Sequence, residues 1–162
     1  MSSVEQRLSS VESRLSAAGH VLPPAPKAAA AYIQHTKAGN VVFAAGQIPT
    51  RDGKPVMTGK CGRELSLEQA KQMAQVCALN AIAVLKEAAG GDLDRVRILR
   101  TQNFANCAPG FTDIHLAANG ASELFNLAFG EKGKHARTSV GMAELPLNVP
   151  FEVEVTDRKS VV

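Results

Sequence analysis

Apolar positions along the chain recur at two different spacings, and the switches between them mark the elements. Over residues 2–18, Val4, Leu8, Val11 and Leu15 fall at helical intervals, Ser2 and Glu5 have capping-box separation, and Gly19 is a stop. The plain expectation is a short helix packed on the core or on a neighbouring subunit. Leu22-Pro-Pro-Ala-Pro-Lys27 and the alanine run after it form a linker, because proline lacks the N–H that regular structure needs. Tyr32–Thr36 and Val41–Ala45 flank a glycine turn and predict a hairpin, and a second turn is expected at Arg51-Asp-Gly-Lys54.

Ser66 and Gln69 repeat the capping-box spacing and open a helix that runs to about Ala89, with Ala70, Met73, Cys77, Ile82 and Leu85 as its buried stripe. Gly90-Gly91 ends it. A strand is expected over Arg95–Phe104, with Val96, Ile98 and Leu99 as its inward candidates. A second helix is expected over Thr112–Phe129, with Ile114, Ala118, Ala121, Phe125 and Ala128 buried. Arg137–Ala143 and Phe151–Thr156 read as the last two strands. The order beyond the first helix is β-β-α-β-α-β, with a further short strand near Val56. Helices on one sheet face leave apolar positions on the other, and a second subunit is the economical cover.

Composition narrows the function classes. The chain has 162 residues, 45% hydrophobic and 20% charged, which suits one packed domain rather than a disordered chain. Net charge is +3, spread along the sequence, with no Trp and one Tyr. A nucleic-acid partner is therefore not expected, since a basic stripe with stacking aromatics is missing. Cys61, Cys77 and Cys107 are too few and scattered for a disulfide framework, and no paired ligands at metal spacing occur, so neither a metal nor a cofactor is expected. No run of about 18 apolar residues suggests a membrane span, and the charged N-terminus does not read as a signal peptide. The expected compartment is the cytoplasm.

Candidate chemistry concentrates in His135-Ala-Arg-Thr-Ser-Val-Gly-Met-Ala-Glu-Leu-Pro146. Strand alternation puts Arg137, Ser139, Gly141 and Ala143 on one face, so small residues leave an open floor beside a guanidinium. Such a floor suits a planar carboxylate held by two parallel hydrogen bonds. From this pattern alone, an edge arginine in a salt bridge stands equal with that reading. Glu152 and Glu154 alternate with Phe151, Val153 and Val155, for which solvent-facing glutamates are the plain account. If the last two strands pair as a hairpin, Glu152 faces Ala143 and Arg137 faces Arg158. Arg137 and Glu152 are then roughly 20 Å apart along the ladder at ~3.3 Å per residue. Only irregular strands or another subunit could join them.

Several stretches together resemble the YjgF/Rid (reactive intermediate deaminase) family, often labelled endoribonuclease L-PSP. They are Ala31-Tyr-Ile-Gln34, Gly39-Asn-Val-Val-Phe-Ala-Ala-Gly-Gln-Ile-Pro49, Gln69 with Leu79-Asn80, Gly91-Asp-Leu-Asp-Arg-Val96 and Asn119 with Glu123. Ala136-Arg-Thr-Ser-Val140, Leu145-Pro146 and Phe151-Glu-Val-Glu154 complete the series. The resemblance covers residues 31–157. It sets apart an N-terminal helix and Pro/Ala linker (1–30) and a tail (158–162). It implies an α+β, chorismate-mutase-like fold, with two helices on one face of a sheet. It also implies a homotrimer with ligand clefts between subunits.

In the deaminase members an arginine anchors the carboxylate of a 2-imino acid, and water converts the imine to a 2-oxo acid and ammonia. The resemblance carries the anchor to Arg137, the water-orienting glutamate to Glu152, and the signature tyrosine and glycine to Tyr32 and Gly46. The helix asparagine matches Asn119, and Ser139 stands where active members carry a cysteine. Ala45 replaces a serine, and Cys107, elsewhere in the sequence, is not expected to replace the missing thiol. The leading expectation is thus a hydrolytic deaminase of small 2-imino carboxylates. A non-catalytic binder of small carboxylates or a metabolite-responsive interaction protein is the alternative from another class. An endoribonuclease ranks third. Chorismate mutase ranks last, because a dicarboxylate needs several cationic donors.

Overall fold

The computed structural model describes residues 10–159. Its first helix, α1 (Val11–Ala17), starts where Ser10 accepts a hydrogen bond from the Ser13 N–H. Ser10 itself is extended (φ −69°, ψ 155°), so the helix expected over 2–18 is not continuous through it. The Ser2–Glu5 cap and the apolar positions Val4 and Leu8 lie outside the described residues. Val11 and Leu15 are buried, Arg14 Nε donates to the Ala128 carbonyl (2.7 Å), and the Val11 N–H donates to Asp94 Oδ1 (3.0 Å). The linker after α1 has no regular structure, yet Leu22 and Ala25 rest against the core.

Five strands form the main sheet: β1 (His35–Ala38), β2 (Val41–Ala44), β5 (Val96–Asn106), β6 (Ala136–Met142) and β7 (Phe151–Lys159). The small pair β3 (Thr50–Arg51) and β4 (Lys54–Pro55) flanks the predicted turn and stops just before Val56. The first hairpin is shorter than its apolar pattern, since β1 begins at His35 rather than Tyr32. β7 runs past Thr156 to Lys159. The capping box at Ser66 and Gln69 forms as expected and opens α2 (Leu67–Ala88), whose predicted stripe is entirely buried. The second helix breaks at Ala118 into α3 (Ile114–Ala117) and α4 (Asn119–Phe129). α2 and α4 pack closely because Gly120 has no Cβ, which would otherwise strike the Lys71 carbonyl.

Sheet order is β1-β2-β7-β5-β6, which overturns the hairpin expected between the last two strands. β6 pairs in parallel with β5 at the sheet edge, while β7 lies between β2 and β5, antiparallel to both. The short loop between them can do this because it crosses the end of β5. There the buried Asn106 donates from Nδ2 to Val149 O and Asn148 Oδ1 (both 3.2 Å), and its N–H donates to Pro150 O (2.9 Å). Leu147 and Asn148 adopt positive φ (56° and 54°) to make the step. A bulge between Ile98 and Arg100 leaves Leu99 as the extra residue, half-buried rather than inward.

Alternation then sorts the faces. Phe151, Val153, Val155 and Asp157 point into the helix layer with Ile98, Thr101, Asn103 and Ala105, and all are buried. The other face carries Glu152, Glu154, Gln102 and Phe104, together with Phe43 (49% exposed), Val140 (40%) and Met142 (38%). No helix among the described residues is long and apolar enough to cross a membrane.

Asp157 is fully buried, and neither carboxylate oxygen has a hydrogen-bond partner among the described residues. Burial pushes its carboxyl up to about 6, only partly opposed by Lys159 and Lys37. The folded state therefore holds this proton more tightly than the unfolded chain. The stabilisation is complete below the unfolded value of ~3.9 and is lost as pH rises to about 6. Asp157→Asn removes the titration. Its unfolding free energy should gain on the parent's by roughly 2–3 kcal/mol between about pH 4 and pH 7. Parallel stability curves for the two proteins, measured by denaturant unfolding, would contradict this.

Candidate active site

Parallel pairing sets Arg137 beside Thr101, Ser139 beside Asn103 and Gly141 beside Ala105, all on the helix side of the edge strand. The guanidinium is braced there by α3 and α4. Nη1 donates to Asn119 Oδ1 (2.8 Å) and to Ser122 Oγ (3.2 Å), and Nη2 donates to the His115 carbonyl (3.1 Å). A guanidinium has five N–H donors, so Nε–H and the second Nη2–H stay unspent. Nε–H lies on the side-on edge of the group, where a guanidinium can meet a carboxylate at two points.

A cleft of about 280 Å³ opens at this position, lined by Ser122, Asn126, Lys134, His135 and Arg137. Lys134 is paired with Glu131 (2.7 Å). His135 Nδ1 lies 2.6 Å from the Gly133 carbonyl, which can only accept, so Nδ1 carries a proton. In the neutral ring Nε2 is then an acceptor, and it receives the Ser122 hydroxyl at 3.0 Å. Phe125 fixes the ring edge-on, with centroids 5.8 Å apart. Burial holds the imidazole below its ordinary pKa, as does the nearby Arg137, while the Gly133 carbonyl opposes them.

Beside Arg137, the Ser139 hydroxyl and the Asn103 side-chain oxygen are buried without a hydrogen-bond partner, on paired positions of β6 and β5. They form a polar floor that lacks a counterpart among the described residues. Cys107, set apart in the sequence, comes back to this strip. Its Sγ lies 3.1 Å from where a Cβ on Gly141 would stand, so the glycine makes room for the thiol. It remains a strand step beyond Ser139, and burial pushes the thiol's pKa up.

Glu152 is elsewhere. Thr101 pairs with both Arg137 and Val155, and Phe104 pairs with both Val140 and Glu152. Glu152 is therefore two strands across and three residues along from Arg137, roughly 10 Å in each direction by strand spacings, and on the opposite sheet face. The separation expected for one ladder is replaced by a separation of faces. Glu152 instead meets Gly46, where any Cβ would collide with its carboxylate. Burial pushes the Glu152 carboxyl up, with Glu154 adding to it, and Glu154 itself is engaged by Gln102 Nε2 (2.7 Å). Tyr32 precedes β1, four strands from β6, and is half-exposed, its Oη accepting from the Ala29 N–H at 3.4 Å.

One chain thus gathers Arg137, Asn119 and Ser139 at one edge, places Gly46 with Glu152 on the other face, and leaves Tyr32 apart. Sequence reasoning did not assign Ser122 and His135. Both had a signal: His135 is two residues before Arg137, just ahead of the strand, and Ser122 is one helical turn after Asn119. Among the described residues no cluster of three or more His, Cys, Asp or Glu could hold a metal.

Two βαβ crossovers flanking a central antiparallel strand, with an edge arginine braced by helices, define a chorismate-mutase-like α+β protein. Residues 12–155 match the family described as "YjgF/chorismate mutase-like, putative endoribonuclease", and the chain belongs to that family. Protein TCP17 of Trypanosoma cruzi is 38% identical over 146 residues, covering 89% of this chain and 91% of that protein. The crystal structure of Atu1372 from Agrobacterium tumefaciens superposes with a TM-score of 0.87 at 38% identity, covering 93% of this chain and 92% of that one. The crystal structure of a "putative endoribonuclease" from Shewanella oneidensis gives a TM-score of 0.89 at 32% identity, over 92% of this chain and 99% of that one.

The Gly46–Glu152 contact has a direct test. Gly46→Ala should destabilise the protein by ~1–3 kcal/mol through overpacking. Glu152→Ala should recover most of that loss, because the collision is with its side chain. Equal losses from Gly46→Ala in the parent and in the Glu152→Ala background, read by thermal unfolding, would show that the two residues do not touch.

Proposed function

We propose that this family member is a hydrolytic deaminase of small 2-imino carboxylates, releasing a 2-oxo acid and ammonia. The observation that carries the reading is Arg137, which keeps two N–H donors unspent while three hydrogen bonds hold it beside the Ser139 and Asn103 groups, unpartnered among the described residues. A protonated imine is already electrophilic, so positioning the substrate and one water supplies much of the acceleration. Glu152, with its raised carboxyl pKa, suits a group that orients or deprotonates that water. Because Arg137 and Glu152 occupy opposite faces within one chain, the complete site requires a second copy. A homotrimer, covering the apolar positions Phe43, Val140 and Met142, meets that need.

Turnover of an imine generated from 2-aminoacrylate, measured against semicarbazide capture, tests the reaction. Arg137→Ala should abolish hydrolysis and 2-oxo acid binding, and Arg137→Lys should keep a small remnant, since a point charge loses the fork. Charge-assisted hydrogen bonds contribute ~1.5–3 kcal/mol each, so losing the pair should lower kcat/KM on the order of a hundredfold or more. Both variants should retain the trimer mass in light scattering. Parent-like turnover by a folded Arg137→Ala protein would remove Arg137 from the site. Tight 2-oxo acid binding with no turnover in the parent would favour a non-catalytic carboxylate binder.

A further inference from the structure

Cys61 and Cys107, distant in the sequence, meet in the fold. Cys61 lies in the loop between β4 and α2, and Cys107 is the first residue after β5. They pair directly in a parallel bridge. Within it the Cys61 N–H donates to the Asn106 carbonyl (2.7 Å), and the Ala108 N–H donates to the Cys61 carbonyl (3.0 Å). We propose that Cys61 and Cys107 form an oxidisable dithiol, which a hydroperoxide closes to an intramolecular disulfide. The pair stands outside the proposed hydrolysis, and its test needs no substrate.

Backbone geometry supplies the reach. Bridged strands lie about 4.8 Å apart, and disulfides span Cα separations of about 4.4–6.8 Å. Cys107 continues the alternation of Asn103 and Ala105 toward the helix layer, and Cys61 is buried in the core on that side. Cys61 joins this strand through one bridge rather than a ladder, so its loop can make the small shift that bond closure needs. Cys77 sits apart on α2, its thiol against the Phe151 carbonyl (3.5 Å). Cys107 also fills the space that Gly141 leaves on β6. The bond therefore ties the loop before α2 to the edge of the polar floor that carries Ser139.

The two sulfurs take different tasks. Cys61 is fully buried, whereas Cys107 is half-buried and is the one an oxidant can meet. Burial pushes the Cys61 thiol up to about 11, with Cys107 adding to it. Burial raises Cys107 as well, but the Met142 backbone and the Lys60 ammonium oppose it. That ammonium is fixed close by, donating to Asn106 Oδ1 (2.7 Å), the Ala143 carbonyl and Glu144 Oε2 (3.3 Å). The thiolate is the nucleophile, so Cys107 reacts first.

The steps balance. The Cys107 thiolate attacks one oxygen of the hydroperoxide, the O–O bond breaks, and the sulfur becomes a sulfenic acid. The other oxygen leaves and takes up the proton that Cys107 released. Cys61 Sγ then attacks the Cys107 sulfur as the S–O bond breaks. The departing hydroxide takes the Cys61 proton and leaves as water. Together the two thiols give up two electrons, and the peroxide accepts them.

Hydrogen peroxide added to the folded, full-length protein, followed by alkylation in denaturant and a tryptic map, tests the pair. Most chains should yield residues 61–63 linked to residues 101–132, with a mass lower by the two thiol hydrogens. Cys77 should still take the alkylating agent, and dithiothreitol should restore both free thiols. A non-reducing gel should show single chains, since the bond is within one chain. Three results would each overturn the dithiol: Cys107 advancing to sulfinic acid while Cys61 stays reduced, a link between two chains, or no oxidation of either residue. Cys61→Ala removes the resolving sulfur, so dimedone should trap Cys107 as its sulfenic acid in that variant. A folded Cys61→Ala protein without the adduct would show that Cys107 is not the sulfur that meets peroxide. The parent's tryptic map needs no variant and decides the link by itself.

Discussion

The parallel pairing of β6 with β5 fixes almost everything else about this molecule. A strand that returns in parallel needs a crossover, and α3 and α4 supply it. That crossover lays Asn119, Ser122 and the His115 carbonyl over the face of β6 that bears Arg137. Had β6 folded back on β7 as a hairpin, the arginine would lack this support. Displacing β6 to the edge also frees the centre of the sheet for β7, whose alternate residues fill the core between β2 and β5.

The brace on Arg137 matters more for order than for stability. Arg137 is exposed, so each bond to it contributes little net free energy to folding. A free arginine, however, carries about 2 kcal/mol of rotamer entropy, which a ligand must otherwise remove on binding. With Nη1 and one Nη2 hydrogen already held, that loss is incurred on folding. The unspent donors are then presented in one orientation, beside polar atoms of Ser139 and Asn103 that have no partner among the described residues.

What was legible in the sequence was local. Ser66 and Gln69 announce α2 because a capping box is satisfied within four residues, and the buried stripe follows from helical spacing. The face of Arg137 was legible for the same reason, through strand alternation. Strand partners were not, because a short connection between two strands favours pairing and nothing nearby contradicts it. The contradiction comes from Asn106, an unremarkable polar residue in the pattern, whose side chain orders the loop around Val149 from 43 residues away. The break at Ala118 and the bulge at Leu99 likewise answer to tertiary packing rather than to propensity. The approach of Cys107 to Gly141 was not legible, because it arises only from the parallel register that carries β6 along β5.

The helix-free face poses the remaining electrostatic problem. Glu152 sits there over Gly46, near Phe104 and Val140, and burial within a single chain already raises its pKa. A second copy laid over Phe43, Val140 and Met142 would remove more water from that carboxylate. Its pKa would climb further unless the copy brought a cation or hydrogen-bond donors to it. Arg137 lies on the edge strand, where a neighbouring subunit can approach it, and its unspent donors are of the kind a buried carboxylate lacks. The same two residues that one chain holds apart would therefore be chemically matched if a second copy brought them together.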